Sequence, residues 1–258
     1  MSRSLLLLFA ASGLATGLLA QNPSVGVDRP AVTTVATGFD FSRGDYGLGT
    51  DTEVSSIPLS LGYEQGSWLF EARAPWLRIS GPATIVAGGG TTPRPTADSE
   101  SGLGDVNLGV TYRTNRGPDA VNFGTTARVK LPTADDERGL GTGQTDYTGQ
   151  FDVYRSFGRI TPFASVGYTW FGASALYPLE DGAYAVGGAH FRASPNTVFS
   201  AFYNWRQRLV AGGDDGSEAL VSVTHDFSPH WRVMVYALKG FTDASPDEGG
   251  GLSLSCRF

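Results

Sequence analysis

Residues 103–131 read LGDVNLGVTYRTNRGPDAVNFGTTARVKL. The stretch holds two runs in which apolar and polar side chains alternate, and Arg116-Gly117-Pro118 stands between them. Side chains two residues apart point to the same side of a β-strand, so each run has one apolar and one polar face. The stretch therefore predicts an antiparallel hairpin of two amphipathic strands. Its apolar faces comprise Val106, Leu108, Val110 and Tyr112 in the first run and Val121, Phe123, Ala127, Val129 and Leu131 in the second.

The same alternation recurs along the chain and is clear again in residues 249–258. In residues 181–193 and 230–242 both faces contain apolar side chains, and the pattern leaves the apolar face undecided. Most of the segments are long enough for a tilted strand to cross the apolar core of a bilayer, about 30 Å thick. Strands of soluble proteins usually have about five or six residues. Twelve strands are predicted, at residues 32–42, 52–64, 67–80, 103–115, 119–131, 145–156, 159–172, 181–193, 197–210, 217–228, 230–242 and 249–258.

The connections between the predicted strands alternate in length. After even-numbered strands they are tight turns such as Gln65-Gly66 and Phe157-Gly158. Bacterial outer-membrane barrels have short periplasmic turns and longer external loops. This parity favours an up-and-down barrel with both termini in the periplasm over a secreted β-sandwich. The longer connections follow the odd-numbered strands, at residues 43–51, 81–102, 132–144, 173–180, 211–216 and 243–248.

Composition excludes several other classes of protein. No segment after the N-terminal one approaches the ~20 apolar residues of a membrane-spanning helix. The net charge of −6 argues against nucleic acid as a partner. The single cysteine, Cys256, excludes a disulfide framework. The 35 glycines among 258 residues suit a curved wall, because glycine in strands marks bends and close approaches.

The N-terminus has the pattern of a secretory signal. Arg3 precedes a mainly apolar run from Leu5 to Ala20. This run is too short for a good membrane-spanning helix. We expect cleavage after Ala20, so that residues 1–20 are the signal peptide and residues 21–258 form the barrel. An uncleaved anchor helix is the alternative.

The aromatic residues predict two girdles at the two membrane interfaces. Amphipathic rings sit well at the level of the lipid headgroups. The alternative is that these rings belong to the core of a soluble sandwich. The girdle candidates are Trp68, Tyr112 and Trp231 near the short turns, and Trp76, Trp170 and Trp205 near the long loops.

The polar faces of the predicted strands carry ionisable side chains near mid-span. On a lipid-facing surface a cation costs about 2–4 kcal/mol at the bilayer midplane, so we expect these groups to face the interior and pair with one another. Two interpretations stay open: a charged channel lining that selects solutes, and a plug of salt-bridged side chains in a narrow barrel. Residues 81–102 are predicted to form a lid or constriction. The candidate lumen residues are Glu71, Arg73, Arg128, Lys130, Asp152 and Arg206, together with Asp40, Asp226 and Lys239.

Catalytic and metal-binding patterns are not found in the sequence. Barrel lipid hydrolases place a histidine two residues before a serine on one strand, so that base and nucleophile meet. None of His190, His225 and His230 is followed by a serine at that spacing. The histidines are scattered, which does not suit a metal site. We therefore predict no enzyme activity, no cofactor and no metal, with a lipid hydrolase as a remote alternative.

Several segments resemble the outer-membrane barrel family named after the meta-pathway of phenol degradation. They are Ser101–Gly109, Lys130-Leu131-Pro132-Thr133, Gly141–Asp146, Thr161-Pro162-Phe163 and Gly167-Tyr168. The resemblance covers mainly residues 101–258. It implies an outer-membrane protein that passes aromatic or other hydrophobic compounds. The final Phe258, with Leu254 and Cys256 on its face, looks like the terminal signal read by the barrel-assembly machinery.

Two functions follow from these observations. The main prediction is a passive channel or uptake barrel for a small solute in the outer membrane of a Gram-negative bacterium. The alternative is a structural or adhesive barrel with a blocked lumen. The expected partners are outer-membrane lipid and lipopolysaccharide, the assembly machinery and a small-molecule solute. Acidic loop segments such as Asp214-Asp215 are solvated surface or contact divalent cations among lipopolysaccharide phosphates.

Overall fold

The computed structural model describes residues 30–85, 91–93, 99–114, 116–117 and 119–258. The signal-peptide prediction for residues 1–20 lies outside the described residues. The strands of the described part are β1 (Val32–Gly44), β2 (Thr52–Gln65), β3 (Trp68–Ser80), β4 (Ala83–Ile85), β5 (Thr91–Pro93), β6 (Glu100–Leu103), β7 (Val106–Arg113), β8 (Asn122–Leu131), β9 (Asp146–Tyr154), β10 (Ile160–Trp170), β11 (Gly182–Ser194), β12 (Thr197–Arg206), β13 (Gly216–Asp226), β14 (Trp231–Gly240) and β15 (Glu248–Arg257).

The strands form a closed antiparallel barrel in which each wall strand pairs with its sequence neighbours. β6 and β7 both pair with β3 and together occupy one position in the wall. The wall therefore has twelve positions, and β1 pairs with β15 to close it. Beyond that ladder, the amide of Thr33 donates to the carbonyl of Phe258 and the amide of Phe258 to the carbonyl of Thr33, at 3.2 and 2.9 Å. The predicted fold class and all twelve strand positions are confirmed.

The fourth predicted strand differs from the expectation, because it is interrupted. Trp76 of β3 pairs with Leu103, but Arg73 pairs with Asn107. One extra residue has entered the strand at Gly104-Asp105, which is the definition of a β-bulge. The bulge turns Asp105 toward the interior, where it is 9% exposed. The ninth predicted strand also ends earlier, at Arg206 rather than at residue 210.

The apolar side chains of the wall face outward. Leu59 and Val166 are 59% and 57% exposed, whereas Thr34, Ser56 and Thr126 on the inner face are buried. This inverts the arrangement of a soluble protein and is what lipid tails require of a β-barrel. No helix in the part of the chain that the structure describes is long and apolar enough to cross a membrane.

The structure shows which face of β14 points inward, which the sequence pattern left undecided. In β14, Met234, Tyr236 and Leu238 are buried inside, and Trp231 and Val235 are exposed outside. The alternation was ambiguous because the inner wall is itself apolar at this point.

A tyrosine reaches across the closing seam by lying over a glycine. Tyr236 of β14 pairs in register with Gly251 of β15, which pairs with Asp40 of β1. A Cβ on Gly251 would lie 2.5 Å from Tyr236 Cε1 and 2.6 Å from Asp40 Oδ1. The missing side chain lets the Tyr236 hydroxyl donate a hydrogen bond of 3.0 Å to Asp40 Oδ1. This bond ties β14 to the first strand of the chain.

The same arrangement occurs elsewhere in the wall. Tyr184 of β11 pairs with Gly167 of β10, and a Cβ on this glycine would lie 2.5 Å from the Tyr184 hydroxyl. That hydroxyl donates to Gln150 Oε1 of β9 at 2.6 Å. In both cases a glycine in the middle strand lets an aromatic side chain link two strands that are not neighbours.

The substitution Gly251→Ala should destabilise the barrel. The added methyl group would press on Tyr236 and Asp40, and overpacking of this kind usually costs about 1–3 kcal/mol. Urea unfolding of the purified barrel in detergent micelles, followed by tryptophan fluorescence, measures the change. Gly187→Ala is the matched control, because a Cβ on this strand glycine would meet nothing within 4 Å. It should change stability by less than about 0.5 kcal/mol. Equal effects of the two substitutions would contradict the role of Gly251.

Candidate functional site

The interior of the barrel holds all six lumen residues proposed from the sequence. Lys130, Asp152 and Arg206 are buried on the inner face, and Glu71, Arg73 and Arg128 are half-buried there. The Arg73 side chain keeps 25% of its surface exposed, whereas Asp40 beside it keeps 1%. A half-buried side chain near the middle of an inner wall has room around it.

The buried carboxylates of the interior have polar partners. Asp40 Oδ2 lies 3.5 Å from Arg73 Nη2 and accepts a 3.1 Å hydrogen bond from Ser56. Asp152 Oδ1 accepts a hydrogen bond of 2.6 Å from Ser165. Contacts of this kind are required, because an unpaired charge is very costly to bury.

A second ion cluster stands at the short-turn end of the lumen. Both Asp226 oxygens accept from the Arg232 guanidinium, at 2.6 and 2.9 Å. Arg257 of the last strand adds a contact of 3.2 Å to Asp226 Oδ1. Asp40 and Asp226 thus lie inside, as the sequence predicted.

The expectation that Lys239 faces the lumen was wrong. Lys239 is exposed on the outer face at the long-loop end of β14, in register with Glu248 of β15. The inner face of β14 is formed by even-numbered residues, so an odd-numbered lysine points away from the lumen.

The inner wall also carries an apolar stripe that was not predicted from the sequence. The stripe follows β12, β13 and β14, and Phe202 packs against it. The ambiguous alternation of residues 230–242 was the one signal that could have revealed it. The buried members are Val198, Leu220, Met234, Tyr236 and Leu238.

Three of the segments that carry the family resemblance meet at one buried lysine at the long-loop end of the barrel. Lys130 Nζ lies 3.0 Å from Asp105 Oδ2, 3.0 Å from Asp146 Oδ2 and 2.8 Å from Thr142 Oγ1. Asp105 Oδ1 also accepts the backbone amide of Ala134 at 3.0 Å. Three segments that are distant in sequence therefore hold loop 132–145 against the inner wall. We call this group of four polar side chains the Lys130 clamp.

The external loops pack over the mouth of the barrel. Ala134 and Leu140 of loop 132–145 form a buried cluster with Val54, Leu77 and Ile79 of the inner wall. Tyr177 of the next external loop is fully buried against Leu179 and Leu209.

Part of the predicted lid, residues 81–102, takes part in this packing. Ala83 and Thr84 of β4 are buried, and the Thr84 hydroxyl donates to the Gly139 carbonyl. The amide of Ala83 donates to Thr52 Oγ1 at 3.1 Å. Residues 86–90 and 94–98 of the predicted lid lie outside the described residues.

A cavity of about 310 Å³ lies at the same end of the barrel, among the loops that follow β1, β3, β12 and β14. We call it the outer vestibule; among its lining residues are Tyr46, Leu48, Ala83, Arg206, Leu209 and Asp243. Tyr46 has a φ of +51°, the one positive value at a described residue other than glycine. A left-handed backbone at a bulky residue stores strain and is typical of functional sites. Burial raises the pKa of the Tyr46 hydroxyl, which keeps it a neutral hydrogen-bonding group. Cavities of this size are large enough for a small organic ligand.

The six girdle candidates all lie on the outer face. Trp68 and Tyr112 meet edge to face with ring centroids 5.0 Å apart, near the short-turn end. The most exposed is Trp76, at 54%. The exposed set is Trp68, Trp76, Tyr112, Trp170, Trp205 and Trp231. Their contact with lipid headgroups and the role of Phe258 in assembly stay predictions.

One histidine contacts a serine across two strands. His190 Nδ1 lies 2.8 Å from Ser200 Oγ inside the barrel. No hydrogen-bond partner is found for His190 Nε2, so this pair lacks the carboxylate that orients the base of a hydrolase triad. Within the described part of the chain, no group of three or more His, Cys, Asp or Glu side chains suits a metal ion.

Replacing the buried lysine with methionine tests the Lys130 clamp. Lys130→Met keeps most of the side-chain volume but leaves two buried carboxylates without their cation, a loss that typically costs about 3–5 kcal/mol. We expect faster trypsin cleavage after Arg138, which lies in loop 132–145, and a lower urea midpoint. Arg43→Met is the control, because the pair of Arg43 with Asp51 is exposed at the surface. Unchanged cleavage in Lys130→Met would show that the loop is held by other contacts.

Comparison with known proteins agrees with this architecture. The family described as "Putative MetA-pathway of phenol degradation" matches residues 28–258. Because the match spans most of the sequence, the chain belongs to this family. No curated protein sequence matches the chain.

Solved structures share the fold at low sequence identity. An outer-membrane channel from Pseudomonas putida F1 is 14% identical with a TM-score of 0.69, and the alignment covers 95% of this chain and 100% of that one. The translocator domain of the autotransporter NalP from Neisseria meningitidis is 12% identical with a TM-score of 0.50, covering 90% and 89%. The NanC porin is 10% identical with a TM-score of 0.51, covering 87% and 98%. The family, the closed wall and its apolar outer face place the chain in the outer membrane of a Gram-negative bacterium.

Proposed function

We propose that this family member is a passive outer-membrane channel for small molecules, with aromatic and other hydrophobic compounds as its solutes. The outer vestibule carries the proposal. It is a cavity of about 310 Å³ on the long-loop side, and Arg206 in its lining is the last residue of β12. The inner face of β12 leads from there into the lumen, through Asn204, Phe202, Ser200 and Val198.

The lumen offers two kinds of surface to a solute. One wall carries the apolar stripe of β12 to β14, on which a hydrocarbon ring can pack. Another wall carries Glu71, Arg73 and Arg128, which keep part of their surface exposed. An amphipathic path of this kind favours a small solute that has an apolar body and few charges. The P. putida barrel, which is described as a channel, has the same fold.

The Lys130 clamp and the loop packing favour a second candidate, a barrel with a blocked mouth. Tyr177 and the loop residues around it are buried as firmly as a protein core. In such a barrel the exposed external acids would contact divalent cations between lipopolysaccharide phosphates. The two candidates differ in conductance, because a blocked barrel passes no ions.

Single-channel recording in planar bilayers tests the channel. Wild-type protein should give steady current steps, and Arg128→Glu should shift ion preference toward cations. Arg128 lies half-buried on the inner wall, so its replacement by glutamate changes the charge at that point of the wall by two elementary charges. The reversal potential in a roughly tenfold salt gradient measures the shift.

Arg78→Glu is the control for this experiment. Arg78 is exposed on the outer face of β3, so the same change of charge there should leave ion preference close to that of the wild type. Silence of a correctly folded wild-type protein would favour the blocked barrel. Equal shifts in both variants would mean that surface potential, not the lumen, sets the preference.

A further inference from the structure

A group of rings on the inner wall of β10 to β12 has no role in the closure of the barrel. The His190 imidazole stacks on the Phe163 ring, with centroids 4.8 Å apart and planes at 15°. Phe163 in turn meets Phe202 edge to face, at 6.1 Å and 61°. Phe202 is only partly buried, so this ring group borders the lumen. We call the three side chains the ring site.

The imidazole in this site has one nitrogen held and one without a partner. Nδ1 is fixed by Ser200 Oγ at 2.8 Å. Nε2 is buried and has no hydrogen-bond partner, and the residue is 2% exposed. A buried polar atom without a partner in a native fold calls for an explanation, such as a ligand or an ordered water.

Further polar atoms without partners lie along the same wall. Asn204 Oδ1 of β12 and Ser222 Oγ and Thr224 Oγ1 of β13 are buried and lack a hydrogen-bond partner. Asn204 lies two residues before Arg206 of the outer vestibule, on the same inner face of β12. The inner faces of β12 and β13 therefore alternate between polar and apolar positions. Ser222 lies opposite Ser200 of the ring site, whereas Leu220 of the apolar stripe lies opposite Phe202.

We propose that the ring site binds a single neutral hydroxylated aromatic ring, a phenol-like molecule. The proposal rests on the proposed function and names the chemistry of its solute. The ligand ring packs against Phe163 and Phe202, and the ligand hydroxyl forms a hydrogen bond with His190 Nε2. Offset and edge-to-face contacts between rings add to the gain from apolar burial.

A hydroxyl group suits the unpartnered nitrogen better than other polar groups do. If Ser200 donates to Nδ1, then Nε2 carries the proton and donates; if Nδ1 donates to Ser200, then Nε2 accepts. A hydroxyl both donates and accepts, so it satisfies either tautomer. The groups that form the site, Phe163, Ser200 and Phe202, are uncharged. A charged ligand would lose its hydration there without meeting a counter-charge.

Two matched probes and two matched variants test the proposal. The probes are 4-fluorophenol and fluorobenzene, which differ only in the hydroxyl, and their binding to the purified full-length barrel in micelles is followed by fluorine NMR. An asparagine amide reaches the position of Nδ1, whereas a glutamine amide reaches that of Nε2. His190→Asn therefore removes the hydrogen bond to the ligand, and His190→Gln restores it.

We expect saturable binding of 4-fluorophenol to the wild type, weakened about three- to tenfold in His190→Asn by the loss of one hydrogen bond. His190→Gln should bind it within about twofold of the wild type, because one amide hydrogen bond replaces another. Fluorobenzene should bind the two variants equally. His225→Asn is the matched control, because His225 is exposed on the outer face and pairs with Thr197. Empty micelles correct for partition of the probes into detergent.

Several outcomes overturn the proposal. Equal 4-fluorophenol binding by the Asn and Gln variants means that Nε2 is merely hydrated, and equal binding of both probes by the wild type means that the hydroxyl is not recognised. A barrel that conducts ions but does not bind 4-fluorophenol refutes the ring site and leaves the channel standing. A barrel that binds the probe as expected but passes no current supports the ring site and refutes the channel. Heat-shifted gel mobility confirms that each variant is folded before it is compared.

Discussion

The structure depends on the requirement that every backbone amide and carbonyl within a bilayer finds a partner in the chain itself. An open sheet would leave one row of these groups unpaired at each edge. The pairing of β1 with β15 removes both edges, and Thr33 and Phe258 extend that seam by two backbone bonds. Closure fixes which side of each strand meets lipid, and so it also fixes which side chains share the interior.

An enclosed interior puts a second constraint on the sequence. Side chains from opposite walls share a narrow space, so charges must be paired and large rings need room. Glycine supplies the room at Gly251 and Gly167, where a tyrosine of a neighbouring strand lies across the ladder. The two tyrosine hydroxyls then satisfy Asp40 and Gln150. High glycine content, which looked like a general feature of a curved wall, has a specific use at these two positions.

The period-two pattern predicted the wall well because the rule behind it is strict. A strand that exposes one face to lipid cannot place polar side chains there without a large cost. The pattern failed where the inner wall departs from polarity. Residues 230–242 have apolar side chains on both faces because Met234 and Leu238 belong to the inner stripe. The bulge at Gly104-Asp105 was also missed, since a single inserted residue leaves the alternation intact on both sides of it.

Contacts between distant strands were beyond the reach of sequence spacing. The contact of His190 with Ser200 depends on the register of β11 with β12, which places them directly opposite each other. The same is true of Lys130, whose two carboxylates come from the bulge and from the start of β9. The sequence placed Lys130 in the interior without naming its partners, and it left the face of residues 181–193, which include His190, undecided.

The family resemblance thus has two physical meanings. The segments Ser101–Gly109, Lys130-Leu131-Pro132-Thr133 and Gly141–Asp146 meet at the Lys130 clamp, so their likeness reflects how the mouth is built. The segment Thr161-Pro162-Phe163 instead contributes Phe163 to the ring site. A barrel that kept the clamp but lacked the rings would have the same mouth with a different interior. On the ring-site proposal, solute preference depends on the inner face of β10 to β12, and the Lys130 clamp serves to build the mouth.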